Sequence, residues 1–143
     1  MKRRRAAMSE PTKTRADLRF RRRERLRGRG AFDAVFRRGR RLSNGRLTIW
    51  AHPNGLAYSR FGVTVGKAHG GAVRRNRFKR LLREGFRLSR ARLPAGYDYV
   101  ARPRVGLELT LAGVLDSLER LCAKLPPARG RSAQTPDHGG QDG

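Results

Sequence analysis

The chain has 143 residues, of which 35 are Lys or Arg and 11 are Asp or Glu, for a formal net charge of +24. That length holds one domain, and a hydrophobic fraction of 37% supports one modest core with part of the chain left outside it. So charged a chain repels itself unless a polyanion neutralises it, and its single cysteine, Cys122, excludes a disulfide framework or a Cys-rich metal site.

No run reaches the roughly 18 to 20 apolar residues of a membrane span, and Met1 to Arg5 is not followed by an apolar signal core. A soluble protein of the reducing cytoplasm is expected, with no membrane partner. Arg outnumbers Lys 30 to 5. The planar guanidinium suits phosphate and bases, although a GC-rich genome gives the same bias, so this ratio carries little weight.

From Met1 to Arg29 there are 13 basic residues and three acids with almost no apolar periodicity. Residues 1–24 read as a disordered basic arm that orders against a partner. At the other end Pro126-Pro127 stops any helix, and residues 126–143 read as a flexible tail rich in Gly, Pro, Ser, Gln and Asp. The folded unit is then 25–125.

Within it, Phe32, Val35 and Phe36 at i, i+3, i+4 predict a helix near 30–38 with Gly39 as its C-cap glycine. Leu47 to Ala51 is a β-prone run, closed by the turn-forming His52-Pro53-Asn54-Gly55 and followed by Tyr58 to Val65, a pattern that predicts an antiparallel hairpin. A glycine-rich turn, Gly66 to Gly71, leads into a long helix with Phe78, Leu81, Leu82, Gly85 and Phe86 on one face. Gly85 in mid-helix costs about 1 kcal/mol relative to Ala and points to close packing there. Tyr97 to Ala101 is a short strand. Leu111, Val114, Leu115, Leu118, Leu121, Cys122 and Leu125 form an apolar stripe with Thr110 as N-cap, core rather than a dimer seam because it spans only about two heptads. The order helix-strand-strand-helix-strand-helix predicts an α+β fold, a small mixed sheet packed with about three helices.

The chemistry concentrates in Ala72 to Glu84. Between Arg74 and Arg92 stand nine basic residues and one acid, and a helical wheel sets Lys79, Arg80, Arg83, Arg87 and Arg90 opposite the apolar face. Such cation density is unfavourable without an anionic surface beside it, so this helix is expected to contact nucleic acid; a merely solvated basic face is the bland alternative. Asn76 adds an amide between two arginines, or serves the backbone near the helix start.

The strings Phe61-Gly62-Val63-Thr64-Val65-Gly66-Lys67, Gly70-Gly71-Ala72-Val73 and Arg75-Asn76-Arg77-Phe78-Lys79-Arg80-Leu81 with Arg83, together with Phe32-Asp33-Ala34-Val35-Phe36 and Gly39, closely resemble the ribonuclease P protein component over about residues 26–125. The resemblance implies a ribosomal-S5-domain-2-like fold with a left-handed βαβ crossover, where sequence rules alone favour a right-handed one. It implies an accessory subunit of a ribonucleoprotein endonuclease, a hydrolase of tRNA processing whose RNA subunit, with Mg2+, does the chemistry. No catalytic residue and no cofactor is then expected on the protein itself. Arg75, Asn76, Arg77, Lys79, Arg80, Arg83 and Lys67 would face ribonuclease P RNA. Phe32, Phe36 and Trp50 would line a cleft for the single-stranded 5′ leader of precursor tRNA, where bases stack with little sequence preference. For Phe32, core packing and cleft lining stand equal; Trp50 is the better candidate for exposure. The chain departs from the family pattern at Ala68, where a second lysine is common.

Other chemistries find little support. His52, His69 and His138 lack partners at ligand spacing and read as surface or turn residues. Asp98 and Glu108 are too isolated for a paired-acid nuclease centre, and the Gly66 to Gly71 turn lacks a P-loop ending. A ribosomal or general RNA-binding protein is the main rival class. A protein-only nuclease lacks a carboxylate cluster, and a helix-turn-helix DNA-binding module lacks adjacent helices.

Overall fold

The computed structural model describes residues 20–128. The arm expected over 1–24 and the tail expected over 126–143 lie outside these residues except at their inner ends. There the packing runs past the expected limits: Phe20 sits edge-on to Phe86 with ring centroids 5.9 Å apart, and Ala128 is buried.

The described elements are helix α1 (Arg29–Arg38), strands β1 (Arg40–Ser43), β2 (Leu47–Pro53) and β3 (Arg60–Val63), helix α2 (Ala72–Ser89), strand β4 (Tyr97–Pro103) and helix α3 (Leu111–Cys122), with short 3-10 turns at Arg22–Glu24, Lys67–His69 and Arg90–Arg92. The α+β class and the three helices stand as expected. None of these helices is long and apolar enough to cross a membrane.

The sheet corrects the expected pairing. Its order is β1-β2-β4-β3, with β1–β2 and β2–β4 antiparallel and β3–β4 parallel. The two runs expected to form a hairpin, β2 and β3, are separated by β4. The reason lies in burial: Tyr97 to Ala101 are all buried, and a strand covered on both faces belongs inside a sheet. The Asn54 turn is correspondingly tied to β4, its N–H donating to Gly96 O (2.8 Å) and its Nδ2 to Asp98 Oδ1 (2.9 Å). The actual hairpin joins β1 to β2 through Asn44, whose Oδ1 accepts from the N–H groups of Arg46 and Leu47. Strand β1, Arg-Arg-Leu-Ser, is short and charged, as edge strands that resist aggregation are. The connection from β3 through α2 to β4 joins parallel neighbours, and it is the crossover whose hand the family resemblance addresses.

The pleat sorts the side chains onto two faces. One carries Leu42, Leu47, Ile49, Ala51, Phe61, Tyr97, Tyr99 and Ala101 into the main core, against Phe78, Leu82 and Phe86 of α2 and Val114, Leu118, Leu121 and Cys122 of α3. Phe61 and Phe86 stack with centroids 4.6 Å apart. Fully burying a side chain such as Leu82 or Phe86 contributes about 1.5–3 kcal/mol. Gly85 is where α2 meets α3, since a Cβ there would collide with Val114. Burial pushes the Cys122 thiol up to about 12, so it is an inert core residue. Thr110 caps α3 as expected, its Oγ1 accepting from Gly113 N at 3.1 Å.

The opposite face is covered only in part, by α1. Leu26, Val35 and Val100 form a smaller core, with Ala31, Phe32 and Trp50 at its margin. Gly39 does cap α1, although for a different reason than a left-handed turn: its backbone is extended, and a Cβ would lie 2.5 Å from Val35 O and 3.1 Å from Ala51 O.

Candidate nucleic-acid interface

Helix α2 buries Phe78, Leu82, Gly85, Phe86 and Ser89, which leaves its other sides to the cations. Asn76, Arg77 and Arg80 are exposed, Lys79 and Arg83 half-buried, and Lys67 is exposed on the 3-10 turn just before the helix. Arg75 is half-buried and held from below: its Nε donates to Gly70 O at 3.1 Å. Arg74 reaches Glu108 at 3.1 Å, and Arg87 pairs with Glu84 one turn earlier. Because Arg87 holds it, the Glu84 carboxyl stays below its ordinary range.

Arg90 corrects the helical wheel. It falls in the 3-10 turn after α2, and its guanidinium turns inward to the buried Glu24, away from the basic face. The pattern of α2 does not carry past Ser89 because the helix ends there. Arg83 is more enclosed than the wheel implies. Its Nε is buried with no hydrogen-bond partner among the described residues, and burial, followed by the Arg25 charge, pulls its pKa below the ordinary guanidinium value. The exposed Arg25 thus lies near this end of the surface.

On the open face of the sheet, the three aromatic residues come together. Phe36 stands T-shaped on Trp50 with centroids 4.9 Å apart, Phe32 lies 6.4 Å from Phe36, and Phe36 is 38% exposed. Phe32 packs on the small core and borders the Phe36–Trp50 pair. Its ring tip fills the space above Gly62, where a Cβ would lie 2.5 Å from Phe32 Cζ. Trp50 is half-buried.

Register adds further residues to this face. Alternation along β2 sets Thr48 and His52 beside Trp50, and β1 places Arg41 opposite Trp50 and Ser43 opposite Thr48. The Arg41 guanidinium lies 6.0 Å from the Trp50 ring, and the Ser43 and Thr48 hydroxyls are 3.1 Å apart. Strand β4 adds Arg102 opposite Thr48 and Asp98 opposite His52. Arg60 grips Asp98 with two hydrogen bonds of 2.8 and 2.7 Å. Burial holds the His52 imidazole below its ordinary value, with Asp98 pulling the other way and Arg38 adding to the depression. Arg41 was missed because β1 was missed; once the strand is known, pairing with Trp50 follows from pleat parity.

His69 is a turn residue as expected, yet it is buried rather than on the surface, bonded through both ring nitrogens to backbone atoms. His138 lies outside the described residues. Several of the described acids are held by arginines: Glu24 by Arg90, Asp98 by Arg60, Asp116 by Arg120, Glu119 by Arg92. Among the described residues no three His, Cys, Asp or Glu side chains gather as a metal site.

A family model described as Ribonuclease P matches residues 20–126. The ribonuclease P protein component of Thermotoga petrophila is 46% identical over 85 residues, 59% of this chain and 73% of that one. The component from Chromobacterium violaceum is 40% identical over 117 residues, 80% of this chain and 96% of that one. Among solved structures, the ribonuclease P protein from Thermotoga maritima superposes with a TM-score of 0.66 at 35% identity, covering 72% of this chain and 98% of the other. The Staphylococcus aureus protein superposes with a TM-score of 0.64 at 23% identity, covering 74% and 98%, and shares the fold.

Proposed function

The chain belongs to the ribonuclease P protein component family, and on that premise we propose that it binds ribonuclease P RNA through α2 and the 5′ leader of precursor tRNA through the aromatic face. The endonucleolytic removal of the leader is then a joint act, with hydrolysis carried out by the RNA. Magnesium held by that RNA supplies the charge stabilisation of the reaction. The protein's residues bind, orient and screen.

The observation that carries this reading is the pairing of two chemically different surfaces on opposite faces of one sheet. The exposed side of α2 offers Asn76, Arg77 and Arg80 beside Lys67 and Arg75. Guanidinium groups so arranged take phosphates, release counterions and make affinity fall steeply with salt. The other face offers Phe36 and Trp50, with Arg41 at the rim. An aromatic pair accepts an unpaired base of any identity, worth about 1–3 kcal/mol per stacked base, which suits a leader of variable sequence. A leader held there distinguishes precursor from mature tRNA, because mature tRNA has nothing to place on that face. The protein acts in the cytoplasm in this reading.

Cleavage of a precursor tRNA at low magnesium by a bacterial ribonuclease P RNA, with and without the protein and by the protein alone, tests it. Stimulation in the combined reaction only is expected. Cleavage by the protein alone would overturn the division of labour, and absence of stimulation would favour a general RNA-binding role.

A further inference from the structure

The loop from β3 to α2 contains Gly66, Gly70 and Gly71, a backbone with little intrinsic preference for one path. Its one deeply buried side chain is His69, 4% exposed. The Gly66 N–H points at His69 Nδ1 at 3.1 Å, and His69 Nε2 lies 2.8 Å from Pro103 O. A backbone N–H can only donate and a carbonyl oxygen can only accept, so Nδ1 is the acceptor and Nε2 carries the proton. The imidazole thereby ties the start of the loop to the last residue of β4, and its ring meets Phe78 of α2 edge-on at 5.9 Å. On the far side of the same turn, Gly70 O accepts from Arg75 Nε. Gly70 has φ +118, and the Arg74 side chain occupies the space a Cβ would need, so the turn is built for glycine there.

We propose that His69 is a positioning residue for RNA docking: it pins the Gly66–Gly70 turn to the end of β4, and through Gly70 O it fixes where Lys67 and Arg75 present their charges. The proposal rests on the reading of α2 as the RNA-docking surface. Without the pin, Gly66 N–H and Pro103 O lose their partners, and the glycine turn is free to shift. Arg77 and Arg80 are held by the helix itself, and the Phe36–Trp50 pair lies on the opposite face of the sheet, so the loss is confined to the first turn of α2 and the loop before it.

The test compares the full chain with His69→Leu, His69→Asn and His69→Gln, by affinity for a bacterial ribonuclease P RNA and for a single-stranded leader oligonucleotide. Asparagine places an acceptor at the depth of Nδ1, glutamine places a donor at the depth of Nε2, and leucine offers neither. The expected result is roughly tenfold weaker RNA binding for His69→Leu, the scale of one misplaced charged contact, with leader affinity unchanged and partial recovery in His69→Gln. Should His69→Leu fail to fold, the Asn and Gln variants carry the comparison, each keeping one of the two contacts and each expected to bind the RNA severalfold more weakly than wild type. In the wild-type protein, slow hydrogen exchange at the Gly66 amide and ring nitrogen shifts of an Nε2-protonated imidazole are expected. Wild-type RNA affinity in folded His69 variants, or free exchange at Gly66, overturns the proposal. Arg77→Ala measured alongside separates the failures: if it weakens RNA binding and His69→Leu does not, only the pin is wrong, and if neither does, the docking surface is wrong as well.

Discussion

The two faces of the sheet are built from the same strands and serve opposite ends. Toward α2 and α3, β2 presents Leu47, Ile49 and Ala51, each at most 2% exposed; toward α1 it presents Thr48, Trp50 and His52, all half-open. The first face is closed by two helices that meet at Gly85, whereas the second is half-covered by one ten-residue helix. The difference shows how a 143-residue chain can afford function. One face supplies most of the burial that holds the fold together, which frees the other to leave an aromatic pair only partly covered.

The sharpest way to break this comparison is to truncate one ring on each face. Phe86→Ala removes a ring with 0% exposure that stacks on Phe61, and should cost about 3–5 kcal/mol in urea unfolding. Phe36→Ala on the open face should cost under about 1 kcal/mol, as exposed positions do. Similar losses for both would mean the open face is as structural as the closed one.

Gly62→Ala probes the seam between them. The added methyl meets the Phe32 ring tip and should destabilise by about 1–3 kcal/mol while displacing the aromatic site, which unfolding and leader binding read together. Next in size is Trp50→Ala. It should weaken leader binding by about 1–3 kcal/mol with RNA-subunit affinity preserved. As the chain's one tryptophan, Trp50 should also show a fluorescence change when a leader oligonucleotide binds the wild type.

The smallest effect expected is that of pH on His52. Its imidazole is depressed in the fold, so below the ordinary value of 6.5 the unfolded chain binds the proton more readily. The contribution of His52 is therefore fully present above about 6.5 and declines as the pH falls below it. His52→Gln should flatten that slope in unfolding midpoints measured from pH 7.5 to 5.5.

Much of this arrangement was legible in the residues. The periodicity of Phe78, Leu82 and Phe86 located the buried side of α2, Thr110 its successor's cap, and Gly85 the helix crossing. Sheet topology was not, because strand pairing is set by burial across distant segments. Leu47 to Ala51 and Tyr58 to Val65 looked like neighbours by sequence, while the strand buried on both sides, β4, took the place between them. Strand β1 carries one apolar residue, Leu42, too weak a signal for a strand, and with it went Arg41. The aromatic residues were found, yet only the register of β1 and β4 revealed Arg41, Thr48, His52 and Arg102 around Trp50. Arg90 was misassigned because a wheel has no knowledge of where a helix stops.

The central claim is that two surfaces divide the work, and it is tested most directly by the affinity of reconstituted holoenzyme for precursor and for mature tRNA, with the RNA subunit titrated against wild type, Arg77→Ala and Trp50→Ala. Arg77→Ala should weaken assembly with the RNA, by about 1 kcal/mol and with a salt slope reduced by about one, while a saturated complex still prefers precursor. Trp50→Ala should assemble normally and lose most of that preference. If both variants weakened precursor and mature tRNA alike, the account of two separate surfaces would be wrong.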